Sequence, residues 1–409
     1  MMHSQFLLRV NLCVALGGAL AVAQQQGITA LRGARVHTAA GPAIDKGVVV
    51  MANGRIVAIG GADLEIPSGA KVVDCSGQVL TPGFVDASTT LGIAGNANEE
   101  GNEITAAVRV VDALDPASKS LRRVLEGGVT TIQVNPGNRN VIGGLGAVVR
   151  THGDTVEKML LRDEAGLRVT MGDEPSSGNR AIRGGLPDSM YYRRPTTRMG
   201  VVWETRQAFY KAKAYAEQKT LPNGQPPTPD ADLEILSRVL KGEIVVHTTA
   251  RAEHDIRTAL RLAEEFGYKT ILDEGTEAWR VIDELARTHT PVLLSAPSRN
   301  AAPDSADVRW ATAQMLAQHD VPFAICTGAD AGTLDLAREA MFAVRYGLDR
   351  DVALRAITSE AAKLCGVDDR VGSLSVGREA DVVAWSGDPF DPTASVLSVW
   401  VQGEQVVSR

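Results

Sequence analysis

From residue 243 onward, short apolar runs alternate with longer stretches whose apolar residues recur every three or four positions. The runs at 243–248, 269–273, 291–296 and 322–327 read as buried strands. The stretches at 252–266, 277–288, 305–318 and 334–347 read as amphipathic helices, and a last helix at 350–364 runs up to Gly366. Upstream, a helix at 118–126 is stopped by Gly127-Gly128 and followed by a strand at 129–134. A glycine-rich turn at 135–146 leads to strands at 147–151, 156–161 and 167–171. Helices are expected at 201–218 and 231–240, separated by a proline-rich connector at 221–230. A short run at 83–87 reads as a buried strand entered through Pro82-Gly83 and left through the polar tip Ser88-Thr89-Thr90. Alternation of this length implies parallel β/α units with right-handed crossovers. With about eight such units, a closed (β/α)8 TIM barrel is favoured over an open sheet, and its working residues belong at the C-terminal strand ends.

Both ends of the chain carry a different pattern. Residues 28–81 read as β-rich, with Asn53-Gly54 marking a hairpin between 47–51 and 55–60. Strands are also expected at 380–385, 396–401 and 405–407. The two β-rich ends suggest one small sandwich built from 27–81 and 374–409 beside a barrel spanning 82–373. Residues 1–23 read as an export signal. Arg9 closes a short n-region, 10–21 is apolar but too short to span a bilayer, and Ala21-Val22-Ala23 is a small-x-small cleavage site. The mature chain is therefore expected in the periplasm or outside the cell.

Bulk properties narrow the partners. The 409 residues are 44% hydrophobic, enough for a large core, and the net charge of −7 argues against nucleic acid. A small-molecule substrate is the expected partner, with a homo-oligomer left open. Cys75, Cys326 and Cys365 are too widely spaced for a disulfide framework or a zinc cluster and read as buried thiols.

The strand tips offer Ser88 and Thr90, Arg168, His247, Asp273-Glu274, Ser295 and Asp330. Around them, TPGFVDASTTLG at 81–92 resembles the first barrel strand of the amidohydrolase superfamily, whose PGF(I/V)DxHxH carries two metal-binding histidines. NVIGGLGAVV at 140–149, TRMG at 197–200, TALRLAEEFG at 258–267, GTEA at 275–278 and the block at 361–381 resemble the imidazolonepropionase-like branch. The resemblance implies a metal-dependent hydrolase acting on carbon–nitrogen bonds other than peptides. Its cation is held by the His-x-His pair, a lysine or glutamate, two later histidines and a final aspartate.

Carried over by position, the set is incomplete. The His-x-His positions read Ser88 and Thr90, and the lysine position falls at Arg168. His247 matches the first later histidine, Glu274 stands at the second, and Asp330 matches the aspartate. Hydroxyls are weak zinc ligands, and a guanidinium has no lone pair to give. His247, Glu274 and Asp330 remain as ligands for one divalent metal, zinc by ligand type, with Asp330 as the general base. The other reading has no metal: Arg168 and Glu274 form an ion pair in its place, and the chain is an inactive relative binding a ligand or an active paralogue. Blander roles stand beside these. His247 can be a core histidine, Asp330 a helix cap and Glu274 a solvated tip. Ser88 or Thr90 can act as a nucleophile only with His247 as base. The glycine-rich turn lacks the Gly-Lys-Ser/Thr ending of a phosphate loop and reads as structural. The arginines at 180, 183, 193, 194 and 198 read as a basic lid.

Overall fold

The computed structural model describes residues 27–177, 179, 194–217, 228–295, 307–328 and 335–409. The expected export signal, Arg180, Arg183, Arg193 and Asp330 lie outside these residues. Among the described residues no helix is long and apolar enough to cross a membrane.

The described residues begin with β1 (Thr29–Val36), β2 (Ile44–Ala52), β3 (Arg55–Gly60), β4 (Lys71–Asp74) and β5 (Val79–Pro82). Asn53 and Gly54 both have positive φ, 51° and 75°, so the predicted two-residue turn joins β2 to β3. The barrel follows as β6 (Phe84–Thr89), β7 (Val129–Val134), β8 (Ile142–Arg150), β9 (Leu160–Thr170), β10 (Val246–Ala250), β11 (Thr270–Glu274), β12 (Val292–Ser295) and β13 (Phe323–Cys326). The chain closes with β14 (Val382–Trp385), β15 (Val396–Val401) and β16 (Glu404–Ser408).

The two ends meet in a single sheet of order β16-β15-β14-β5-β1-β2-β3, with β4 beside β1. β14 runs antiparallel to β5, pairing Val383 with Thr81. Leu31, Val49, Ile56, Leu80, Val382 and Trp400 form one of its cores. The sheet is tied to the barrel by Phe84 stacked on Trp385 at 5.2 Å and by Glu379, which takes both Arg150 at 2.5 Å and Arg370 at 2.7 Å.

The barrel strands lie in chain order from β6 to β13. The first and last are joined by a parallel bridge between Thr89 and Gly328, and Gly328 N–H donates to Ser88 O at 2.9 Å. Asp86 accepts from both the N–H and the hydroxyl of Thr327, at 3.0 and 2.5 Å, on the same seam.

The barrel departs from the expected uniform β/α repeat at one place. β8 runs antiparallel to both β7 and β9. A parallel return needs a crossover of roughly a dozen residues or more. Only the short turn at 135–141 separates β7 from β8, and only a single helical turn, Val156–Met159, interrupts the link to β9. The strands expected at 156–161 and 167–171 are that helical turn and one long strand. Arg198, expected in the basic lid, instead opens the helix Arg198–Glu217 and pairs with Asp173 at 2.7 Å and Asp255 at 3.3 Å.

Candidate ligand site in the barrel mouth

Register decides which side chains meet. In the parallel ladders Arg168 pairs with His247, Thr249 with Asp273, and Ala250 with Glu274. Side chains on a strand alternate between faces, so Asp273 and Glu274 cannot both face Arg168. Asp273 does. Arg168 Nη1 donates to Asp273 Oδ2 at 2.5 Å and to Thr249 Oγ1 at 2.8 Å, and its Nε donates to the carbonyl of Pro136 at 3.2 Å. Ser88 Oγ donates to the same Asp273 oxygen at 2.7 Å and accepts from Asn135 Nδ2 at 3.1 Å. Arg168 is 1% exposed and Asp273 0%. A buried charge pair of this kind persists only when its remaining hydrogen bonds are made, and here they are.

Glu274 belongs to a neighbouring cluster. Its φ of 70° turns the chain at the end of β11. Its carboxylate accepts from Arg251 Nε and, at 2.8 Å, from Asn138 Nδ2. Arg251 also reaches Glu174 at 2.8 Å. The expected Arg168–Glu274 pair is therefore not formed. Each charge takes a different partner, because alternation along β11 puts the carboxylate of residue 273, not 274, on the arginine's face.

His247 is 1% exposed, with Nε2 2.9 Å from Gln133 Nε2 and with Nδ1 unpartnered. Burial lowers its pKa to about 4, helped by Arg168 and opposed by Asp273, so the ring is neutral at physiological pH. Gly166 makes room for it, since a Cβ there would lie 2.3 Å from His247 Cδ2. Asp86 is pushed up to about 6 by burial, against the hydrogen bonds from Thr327. Thr90 stands partly buried just beyond β6.

The donor set described does not suit a divalent cation. A guanidinium lies at the centre, Ser88 is committed to Asp273, and Nε2 of His247 is 2.9 Å from a carboxamide. Among the described residues no three His, Cys, Asp or Glu side chains gather closely enough to hold a metal ion.

What fills the mouth is the turn after β7. Asn135, Pro136, Gly137, Asn138 and Asn140 are all buried. Asn138 makes two contacts with its one carboxamide, donating to Glu274 and accepting from Thr249 Oγ1 at 3.0 Å. Gly137 N–H donates to Ala97 O at 2.9 Å, and Asn140 donates to Glu99 O at 2.6 Å.

These features have relatives. The crystal structure of an amidohydrolase from Thermotoga maritima superimposes with a TM-score of 0.85 at 31% identity, covering 93% of this chain and all of that one. The chain belongs to the amidohydrolase family. The Amidohydrolase family profile also matches residues 228–406. Among curated relatives, the imidazolonepropionase of Psychromonas ingrahamii is 24% identical over 82% of this chain and 85% of its own length. Amidohydrolase tasK of Hapsidospora irregularis is 25% identical over 83% of this chain, which spans only 37% of tasK.

Within this family frame, Ser88 and Arg168 come together, and His247 lies beside Arg168 in register. Glu274 and Thr90 stand outside that contact. Of the partners that complete the site, Asp273 is offered by the sequence only as a strand tip beside Glu274, and Thr249, Gln133, Asn135 and Asn138 are not marked at all. Strand alternation around Arg168 was the available signal for Asp273. For Asn138 the available signal was the three asparagines in NPGNRN at 135–140.

Proposed function

We propose that this amidohydrolase-family chain binds a small-molecule ligand at its barrel mouth without a catalytic metal there. The observation that carries this reading is the Arg168 guanidinium, buried and bonded to Asp273, with no ligand set for a cation among the described residues around it. The guanidinium keeps its proton and has no lone pair to give a metal, and it already occupies the Asp273 carboxylate. The binding role takes a second subunit, an active paralogue, as its natural partner, and the chain acts outside the cytoplasm once residues 1–23 are removed. The sheet built from both ends of the chain fits the composite sandwich expected beside such a barrel.

A second reading keeps the hydrolase. It is supported by the amidohydrolase and imidazolonepropionase relatives. It has one metal on His247, Glu274 and Asp330, with Asp330 as base, and requires Glu274 to leave Arg251. Elemental analysis of protein purified without added metal separates the two. A metal content far below one per chain, with no turnover of amide, cyclic imide or acetamido substrates, is expected. About one tightly held zinc per chain, lost in Glu274→Ala, overturns the binding reading.

A further inference from the structure

The turn at 135–140 does more than link β7 to β8. Its carboxamides and carbonyl meet the side chains that line the barrel mouth. Pro136 O takes Arg168 Nε at 3.2 Å. Asn135 Nδ2 reaches Ser88 Oγ at 3.1 Å. The Asn138 carboxamide lies between an acceptor, Glu274 Oε1 at 2.8 Å, and a donor, Thr249 Oγ1 at 3.0 Å. An acceptor and a donor placed at the two ends of one carboxamide read both ends of a primary amide. A carboxylate offers no N–H to Glu274, and a ketone offers none either. Asn138 is 2% exposed although it sits in a connection between strands, where exposed backbone is the rule.

We propose that the mouth is a carboxamide-binding site occupied in cis: residues 135–140 act as a resident ligand, and an external ligand bearing a primary amide competes for the contacts of Asn138. This rests on the binding reading above and names the chemical class that the site takes. An asparagine- or glutamine-like side chain, or another small primary amide, has the required donor and acceptor. The turn is the gate, because Asn135 and Pro136 occupy the hydrogen-bond positions on Ser88 and Arg168 that a ligand would take.

The test uses thiol labelling, which involves no metal, so its failure is distinct from failure of the metal-free reading. Ser88→Cys places a reporter behind the turn, and the buried Cys75, Cys326 and Cys365 report global opening. With a small neutral thiol reagent, S88C should label slowly. Adding Asn138→Ala should accelerate labelling at least about tenfold while Cys75, Cys326 and Cys365 stay protected. Acetamide should then slow it towards the S88C rate, whereas acetate and acetone at equal concentration should not. Three results overturn the proposal: no acceleration on Asn138→Ala, equal protection by acetate, or labelling of the introduced thiol together with Cys75, Cys326 and Cys365. If S88C does not fold, the same comparison is read in Asn138→Ala alone. There, hydrogen exchange of the Gly137 and Asn135 amides should speed up and be slowed again by acetamide only. Exchange unchanged from the parent protein overturns the proposal equally.

Discussion

Replacing one member of the Arg168–Asp273 pair tests how the barrel interior is held. Both side chains are inaccessible to solvent and lie 2.5 Å apart, so Asp273→Asn leaves a buried guanidinium without its counter-charge. Removing one partner of such a pair costs about 3–5 kcal/mol. Arg168→Met strands Asp273 and also loses the bonds to Thr249 and Pro136, each worth about 1 kcal/mol, so it should cost at least as much. The double variant Arg168→Met/Asp273→Asn leaves no unpaired charge. It should cost less than the two single changes together by about 2 kcal/mol or more. Urea unfolding followed by circular dichroism supplies the three midpoints, and a constant slope keeps the comparison valid. Single changes costing under about 1 kcal/mol, or a double variant equal to the sum, would show that the pair is not held in a dry interior and refute the reasoning.

Titration offers a second check. His247 is held at about 4 against an ordinary 6.5, so the unfolded chain takes the proton first as pH falls. The stability due to its neutral state is full above pH 6.5 and lost towards pH 4, by roughly 3 kcal/mol, and His247→Gln should remove that slope. Asp86 and Asp381 act oppositely. Raised by burial to about 6 from 3.8, each carries a penalty that is full above pH 6 and relieved towards 3.8. Asp86→Asn should therefore compare better with the parent at pH 8 than at pH 4.5 in the same unfolding assay. Gly166→Ala should destabilise by about 1–3 kcal/mol through the collision with the His247 ring, and the cost should shrink in a His247→Ala background.

Much of the frame was legible because local signals agreed with one another. The apolar strands from residue 243 onward formed within about three residues of where periodicity placed them, and the Asn53-Gly54 turn and the pairing of the two ends formed as turn chemistry and patterning implied. β8 was misread because a run buried on both faces has no alternation to declare its direction. The short links on either side, which exclude a parallel return, were the better guide. The site was half legible. Motif position marked Arg168, His247 and Glu274, but a motif does not say which of two adjacent carboxylates turns inward. That depended on the alternation along β11 and on the positive φ at Glu274. The role of Asn138 was hidden for a different reason. Its contacts depend on a turn folding back across the barrel, which no local pattern encodes.

The sheet joining the two ends bears on how the protein comes into being. Trp385 donates to a threonine 304 positions earlier, and β14 lies between β5 and β15. The opening strands therefore wait, with β5 unpaired along one edge, until the closing strands have been synthesised. Contacts this distant in sequence carry the largest loop-closure cost and form slowly. A chain interrupted before residue 382 leaves β5 with an uncovered sheet edge, a template for aggregation.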